Sequence, residues 1–197
     1  GERKGLLPSR EWKNQSKQAP WYPGETLNVG IGQGYFLTTP LQLASATSLL
    51  ASGGDSVTPH LFLKSSINNK EQTYNYNDNK TSINIDIDSL HIVNEAMWRV
   101  IYDNDVGTAS HLKKIEGIEF AGKTGTAQVY NLDKGKTGTK SLQDHALFIS
   151  FAPFESPEII VSVIVDNGGS GSAIAAPIAR DIINFYFKNI KTKLAKQ

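Results

Sequence analysis

The residues of this chain whose types and spacing best suit chemistry are four in a row, Lys123, Thr124, Gly125 and Thr126. They lie inside a run, residues 120–129, that has the composition of a β-strand. An ammonium group, hydroxyls and unobstructed backbone at Gly125 are therefore close together on one extended segment. Because glycine lets another chain approach closely, an extended peptide could add to the edge of this strand. Lys123 and the hydroxyls would then meet a carboxylate, and a strand N–H could stabilise an oxyanion.

A Lys-Thr-Gly tripeptide is by itself a weak signal, since it arises by chance in roughly one such chain in twenty-five. The same four letters occur again at 136–139, in a polar loop without apolar flanks. We therefore interpret the second copy as coincidental and the first as the candidate site.

Three further elements are predicted to position the candidate strand. Thr39 and Pro40 begin a helix that ends at Gly53. Apolar residues at three- and four-residue spacing predict a second helix over 89–102. A third helix is predicted over 175–187, with Pro177 in its first turn. Its apolar positions are expected to lie on the sheet: Ile178, Ile182, Phe185 and Tyr186.

Three strand-like runs, 118–130, 146–152 and 159–166, predict an antiparallel meander. Composition predicts the structure of the segments outside these elements. Residues 1–23 are expected to be irregular, 57–63 a short strand, 65–86 an exposed Asn-rich hairpin or loop, and 188–197 a solvated basic tail. The order of elements predicts an α+β fold, an antiparallel sheet flanked by helices.

Composition excludes several classes of protein. The 197 residues are 39% hydrophobic, which is enough for a core. The net charge is +1, which does not indicate binding of nucleic acid through its phosphates. With no cysteine there is neither a disulfide framework nor a thiolate site. No apolar run approaches the roughly 18 residues of a membrane span. The four histidines, His60, His91, His111 and His145, lack ligand spacing, so neither a metal nor a cofactor is predicted.

Two glycine-rich segments resemble motifs of other chemistry but do not match them. The G-I-G-Q-G run at 30–34 lacks the dinucleotide fingerprint, because Tyr35 stands where the helix should be starting. We interpret it as a turn beside the active site. Ser170 lies between Gly169 and Gly171, but Ser172 breaks the G-x-S-x-G spacing of a nucleophile elbow.

The neighbours of Lys123 carry a resemblance that extends over nearly the whole chain. K-T-G belongs to the signature set of penicillin-binding proteins and serine β-lactamases. Further blocks stand in one order, at 8–13, 20–22, 24–26, 29–35, 39–42, 59–61, 122–129, 144–145, 151–153 and 167–169. Together these blocks make the chain resemble the C-terminal part of class B penicillin-binding proteins, in particular those of the cell-elongation machinery.

The resemblance implies a peptidoglycan D,D-transpeptidase with a partial penicillin-binding-protein or β-lactamase-like fold. In that family a serine attacks the D-Ala-D-Ala peptide, releases D-alanine and passes the acyl group to a neighbouring stem, and β-lactams acylate the same serine. It implies that Lys123, Thr124 and Thr126 meet the substrate carboxylate and the catalytic hydrogen-bond network. Gly125 and Ala127 complete the catalytic and substrate-binding strand, and the Thr126 N–H forms half of the oxyanion hole.

The nucleophile of the family has no counterpart here. S-x-x-K and S-x-N precede the G-I-G-Q-G block in the family, and nothing upstream of residue 30 matches either. Ser110 with Lys113 has S-x-x-K spacing but the wrong order, and Ser66 and Ser82 begin S-x-N letters in the polar insertion. We therefore expect residues 1–197 to be the C-terminal portion of one transpeptidase domain, inactive in isolation.

An alternative from a different class is a non-catalytic β-lactam sensor or scaffold module with the same fold. A β-lactamase or simple carboxypeptidase shares the K-T-G chemistry but fits the other blocks poorly. The resemblance also implies a setting and partners. These are a periplasmic domain of an inner-membrane-anchored protein, peptidoglycan stem peptides, β-lactams, a membrane glycosyltransferase and elongation-machinery proteins.

Overall fold

The computed structural model describes residues 3–68, 70–73, 80–128 and 143–191. Residues 10–17 are helical, so the prediction of irregular structure over residues 1–23 was wrong for that part, whereas residues 3–9 and 18–22 lie outside the helices and strands as predicted. Helix α1 (Arg10–Lys17) begins after Ser9, whose hydroxyl accepts a hydrogen bond from the Trp12 N–H at 3.0 Å. Helix α2 (Pro23–Gly30) begins with proline, whose missing N–H is not needed at a first helical position. Both helices have eight residues, too few for an apolar period to be evident.

Helix α3 (Pro40–Ala51) begins and ends as predicted. The Thr39 hydroxyl accepts from the Gln42 N–H at 3.1 Å, and the Gln42 side chain accepts from the Thr39 N–H at 3.0 Å. This reciprocal capping satisfies two backbone donors at the start of the helix. Gly53, with φ of 80°, takes the chain out of the helix.

The described residues between α3 and the next helix form four short strands. They are β1 (Asp55–Val57), β2 (Lys64–Ile67), β3 (Lys70–Thr73) and β4 (Lys80–Ser82). β2 and β3 form the exposed hairpin that composition predicted, and β1 pairs with β4 at its base. The strand predicted over 57–63 was wrong, because pairing ends at Val57 and Pro59 has no N–H to continue a ladder.

Helix α4 (Ile87–Tyr102) confirms the second predicted helix and begins two residues earlier. The Asp86 carboxylate accepts from the Ser89 N–H at 2.9 Å and caps it. Leu90, Met97 and Ile101 form its buried face, as the apolar spacing required.

The predicted meander is present as β5 (Ala121–Ala127), β6 (His145–Ala152) and β7 (Ile159–Val165). All pairs are antiparallel in the order β5-β6-β7, and Gly125 lies opposite Leu147. Residues 129 and 130 of the first predicted strand and the second K-T-G-T copy lie outside the described residues. The α+β fold class is therefore confirmed.

Helices cover both faces of this sheet. On one face, Ala146 and Phe148 join a core cluster with the C-terminal helix α5 (Ala176–Phe185). On the other, Phe151 packs with Met97 of α4, and Ala51 of α3 lies against the same cluster. Turns of π-helix flank α5 over Gly171–Ala175 and Tyr186–Lys191.

The face by which α5 meets the sheet differs from the predicted one. Ile178 and Ile182 are more than two-fifths exposed and Phe185 more than half. The residues with no exposed surface are Ala176, Ala179 and Ile183. Alanines at the contact let the helix backbone approach the sheet closely, and the larger side chains are turned outward.

Across the described ranges, no helix combines the length and the apolar character that crossing a bilayer requires.

Candidate active site

The K-T-G-T residues lie on β5 with their polar groups accessible. Lys123 and Thr126 are exposed, and Thr124 and Gly125 are partly exposed. The Lys123 ammonium donates to the carbonyl of Thr124 at 2.7 Å. The Thr124 hydroxyl lies 3.0 Å from that of Thr108, which belongs to the turn after α4. The sequence-predicted site residues are therefore brought together on one strand.

β5 has one edge paired with β6 and one edge that no other described strand pairs with. Side chains occupy two carbonyls of this strand, those of Thr124 and Thr126, with Lys123 and Gln33 as the donors. In an antiparallel strand, the N–H and C=O of one residue point to the same side, and residues two apart share that side. The unpaired edge is therefore where the backbone groups of Thr124 and Thr126 point.

Gly171, at the start of the C-terminal helical segment, packs closely on the backbone of Gly125. A Cβ on Gly171 would lie 2.3 Å from the Gly125 carbonyl oxygen and 2.5 Å from that of Leu147. Position 171 therefore has to be glycine for the start of the C-terminal helical segment to reach β5. Gly122 is equally confined, since its Cβ would lie 2.5 Å from the ring of Phe148.

The glycine-rich run at 30–34 forms a turn that contacts β5. Gly32 and Gly34 have φ of 73° and 72°, conformations that other residues rarely adopt. Between them, the Gln33 N–H donates to the Asn28 carbonyl at 2.8 Å. The Gln33 side chain donates to the Thr126 carbonyl at 3.1 Å. The run follows α2 rather than opening a helix, so it lacks the helix N-terminus of a nucleotide-binding loop.

A cavity of about 410 Å³ lies between this turn and the sheet. Its wall is largely apolar and includes Ile31, Phe36, Leu43, Gly125, Leu147 and Ile164. Gln33 and Thr126 also line it, so their hydrogen bond borders the cavity.

A charged pair joins α1 and α2, the two helices that precede the turn. Lys13 is only 3% exposed, and its ammonium lies 2.5 Å from the Glu25 carboxylate of α2. The same ammonium lies 4.4 Å from the centre of the Tyr22 ring. The bond from Lys13, followed by one from the Tyr22 N–H, lowers the pKa of Glu25. Tyr35, at the end of the turn, packs on Trp12 of α1 with ring centres 5.2 Å apart.

The S-x-x-K look-alike is not helical. Ser110 lies in a turn, where its N–H donates to the Gly107 carbonyl at 3.1 Å. Lys113 is exposed, and it is Lys114 whose ammonium reaches the Ser110 carbonyl, at 3.4 Å. The helical spacing that would place Ser110 and Lys113 on one face is therefore absent. Ser66 and Ser82 lie on β2 and β4.

His145 has a backbone partner at the start of β6. The Asn167 N–H donates to the His145 Nδ1 at 3.1 Å, so the ring links the start of β6 to the turn after β7, and the same nitrogen lies 3.5 Å from the Asp166 carboxylate. Within the described ranges no group of three or more His, Asp or Glu residues could hold a metal ion.

Sequence reasoning missed two residues of this neighbourhood, Gln33 and Thr108. Gln33 is 93 residues from its partner Thr126, and Thr108 is 16 residues from Thr124. Neither has a local pattern that would indicate such a contact. The glycine-rich run at 30–34 was predicted to lie beside the site, but no role was predicted for Gln33 within it.

Comparison with known families places the site in context. The family model for the penicillin-binding protein transpeptidase domain matches residues 1–184. The peptidoglycan D,D-transpeptidase MrdA of Haemophilus influenzae is 37% identical over 188 residues, covering 91% of this chain and 28% of that protein. MrdA of Escherichia coli K12 is 33% identical, with 93% and 29% covered. The chain thus spans about three tenths of the length of these curated relatives.

Solved structures agree with these matches. Penicillin-binding protein 2 of Pseudomonas aeruginosa, in complex with WCK 5153, is similar with a TM-score of 0.76 and 39% identity, covering 94% of this chain and 39% of that one. Penicillin-binding protein 2 of Helicobacter pylori, in complex with MreC, has a TM-score of 0.73 and 30% identity, with 96% and 32% covered. The chain belongs to the penicillin-binding protein transpeptidase family, and within it to the transpeptidase part of penicillin-binding protein 2.

Proposed function

We propose that this chain supplies the K-T-G-T side of the active site of a peptidoglycan D,D-transpeptidase that works through a serine acyl-enzyme. The observation that carries the proposal is the unpaired edge of β5. There Thr124 and Thr126 direct their backbone groups away from β6, beside the exposed ammonium of Lys123.

Each residue of the strand has a role in this proposal. Lys123 and the hydroxyls of Thr124 and Thr126 bind the terminal carboxylate of a D-Ala-D-Ala stem and orient the hydrogen-bond network. The Thr126 N–H stabilises the oxyanion of the tetrahedral intermediate. Gly125 and Ala127 leave the strand accessible, so that the stem peptide adds to the edge in extended form.

The nucleophilic serine of this mechanism is not among the 197 residues. We propose that the chain is the C-terminal portion of one transpeptidase domain, with 65–86 as an insertion and 188–197 as a basic tail. The serine and its lysine come from the preceding part of the parent protein, and the isolated chain does not turn over substrate.

The setting follows from the relatives. The relatives named MrdA support a peptidoglycan substrate, and the Helicobacter pylori protein was solved with MreC, which supports an elongation-machinery partner. A periplasmic domain on an inner-membrane anchor, working with a membrane glycosyltransferase and inhibited by β-lactams, completes the proposal.

Fluorescent penicillin tests this function. The gene product extended upstream of Gly1 is expected to become covalently labelled on a serine of an S-x-x-K motif, whereas the 197-residue chain stays unlabelled. The Ser110→Ala variant of the longer protein keeps the label. An adduct on Ser110 would overturn the assignment of the nucleophile. A longer protein that binds penicillin only reversibly would instead be a sensor or scaffold module.

A further inference from the structure

The hydrogen bond from the Gln33 side chain to the Thr126 carbonyl joins the glycine-rich turn to the K-T-G-T strand across 93 residues of sequence. Thr126 is the residue whose N–H is proposed to stabilise the oxyanion. Its carbonyl points to the same unpaired edge, and there it is the acceptor that an added peptide strand would use.

Gln33 approaches this carbonyl from the face of the sheet. It lines the same cavity as Gly125, Ala127 and Leu147, whose positions alternate onto one face of β5 and β6. A carbonyl oxygen has two lone pairs. A donor on the cavity side therefore leaves the second lone pair free for a donor that arrives in the plane of the strand.

We propose that Gln33 is a positioning residue, which holds the Thr126 carbonyl for the amide N–H of an extended acyl-peptide substrate. The inference rests on the proposed function and deepens it, because it assigns the positioning of the carbonyl that accepts the substrate amide to a residue outside the K-T-G-T strand.

Two contacts restrain the strand at this point, in addition to its pairing with β6. Gly125 has the widest backbone freedom of any residue type, and it directly precedes Thr126. Gly171 packs against the Gly125 backbone on the face covered by α5. Gln33 acts from the cavity face, so the two contacts confine this stretch of β5 from opposite sides.

Gln33 is itself held firmly. Its N–H is bonded to the Asn28 carbonyl at the end of α2, and the side chain is half-buried. α2 is joined to α1 by the Lys13 and Glu25 pair. The Gln33 side chain therefore extends from a turn whose backbone is fixed by hydrogen bonds and by the contact between α1 and α2.

The test compares two β-lactams on the longer, serine-containing protein. Benzylpenicillin has an acylamino N–H, and a carbapenem such as imipenem has none. Gln33→Ala is expected to lower the acylation rate constant of benzylpenicillin by about three- to tenfold, the value of one hydrogen bond. The rate with imipenem is expected to stay close to that of the unsubstituted protein. Gln33→Glu, which keeps the shape but presents an acceptor to the carbonyl, should lose at least as much.

The matched control is Gln15→Ala on the exposed surface of α1, which should leave both rates unchanged. An equal loss with both β-lactams would reduce Gln33 to a structural residue and overturn the proposal. So would a faster reaction with benzylpenicillin, because Gln33 would then compete with the substrate.

A separate measurement on the longer protein, which does not depend on acylation, keeps the inference distinct from the proposed function. The ¹³C chemical shift of the Thr126 carbonyl should change in the Gln33→Ala variant and stay the same in the Gln15→Ala variant. An unsubstituted protein that resists acylation by both β-lactams would refute the proposed function, whereas an unchanged carbonyl shift would refute the inference.

Discussion

The hydroxyls of Thr108 and Thr124 lie 3.0 Å apart and join the turn after α4 to the middle of β5. Thr124 is the second residue of the K-T-G-T strand, so the hydroxyl proposed to face substrate has a protein partner of its own. Each hydroxyl can both donate and accept a hydrogen bond, so one of the two can donate to the other, which in turn donates to a third group. The turn at 103–112 is thereby part of the site, although it contributes no residue to the motif.

Lys123→Ala is the direct test of the charged residue at the site. In the longer, serine-containing protein it should lower the acylation rate by about a hundredfold, since it removes a charged donor from a preorganised site. The measurement is the second-order rate of fluorescent penicillin labelling. Lys136→Ala, in the second copy of the same four letters, is the matched control and should label normally. Equal losses in both variants would contradict the choice of the first copy.

Gly171→Ala should destabilise the protein, because the added methyl meets the carbonyl oxygens of Gly125 and Leu147. The expected cost is about 1–3 kcal/mol in the free energy of unfolding, measured with urea. Gly24→Ala places a methyl where no atom lies within 4 Å, and it should leave the midpoint unchanged or raise it. A neutral Gly171→Ala would mean that β5 is less tightly confined than its contacts indicate.

Glu25 should make stability depend on acid pH. Its pKa is lowered by the hydrogen bond from Lys13 and then by the Tyr22 N–H, so the folded protein binds its proton less readily than the unfolded chain. The stabilisation is therefore present above the unfolded-state pKa and is lost as the pH falls through the folded-state value. Glu25→Gln should be less stable than the unsubstituted protein at pH 7, with a difference that shrinks on acidification.

Urea unfolding between pH 7 and pH 3 measures this difference. Glu71→Gln is the control, because Glu71 and Lys64 are both more than three-fifths exposed and their groups lie 3.7 Å apart. Such a pair contributes little. A difference for Glu25→Gln that stays constant with pH would show that the carboxylate charge is not what matters.

Truncation of two neighbouring isoleucines of α5 should destabilise the protein to very different extents. Ile183 has no exposed surface, so Ile183→Ala is expected to cost about 2–5 kcal/mol. Ile182 is 43% exposed, and Ile182→Ala should cost under about 1 kcal/mol. Thermal unfolding of the two variants side by side decides whether this face of α5 meets the sheet. The reverse order would restore the face expected from the apolar pattern.

The α+β class and the elements around the site could be predicted because each has a strong local signal. Thr39 and Pro40 mark the start of α3 by capping chemistry, and the spacing of Leu90, Met97 and Ile101 marks the buried side of α4. The short helices α1 and α2 lack that repeat, and their prolines suggested loops. Hydrophobicity favoured Ile178 for the sheet contact, whereas the geometry of close packing selected Ala179.

The candidate strand could likewise be found by its letters, since Lys123 to Thr126 are adjacent in sequence. The contacts that surround the strand could not be predicted from the sequence. The approach of Gln33 to Thr126 and of Gly171 to Gly125 depends on how distant segments meet in three dimensions, and no spacing along the chain indicates either.

The ladder between β1 and β4 closes the base of the Asn-rich insertion. Inside that closure, β2 and β3 pair with each other and not with β5, β6 or β7. Lengthening a loop whose ends are already fixed costs only about 0.6 kcal/mol per doubling. The hairpin turn is therefore a place where evolution can vary length freely, and where an epitope or dye-binding tag can be inserted while the edge of β5 keeps its geometry.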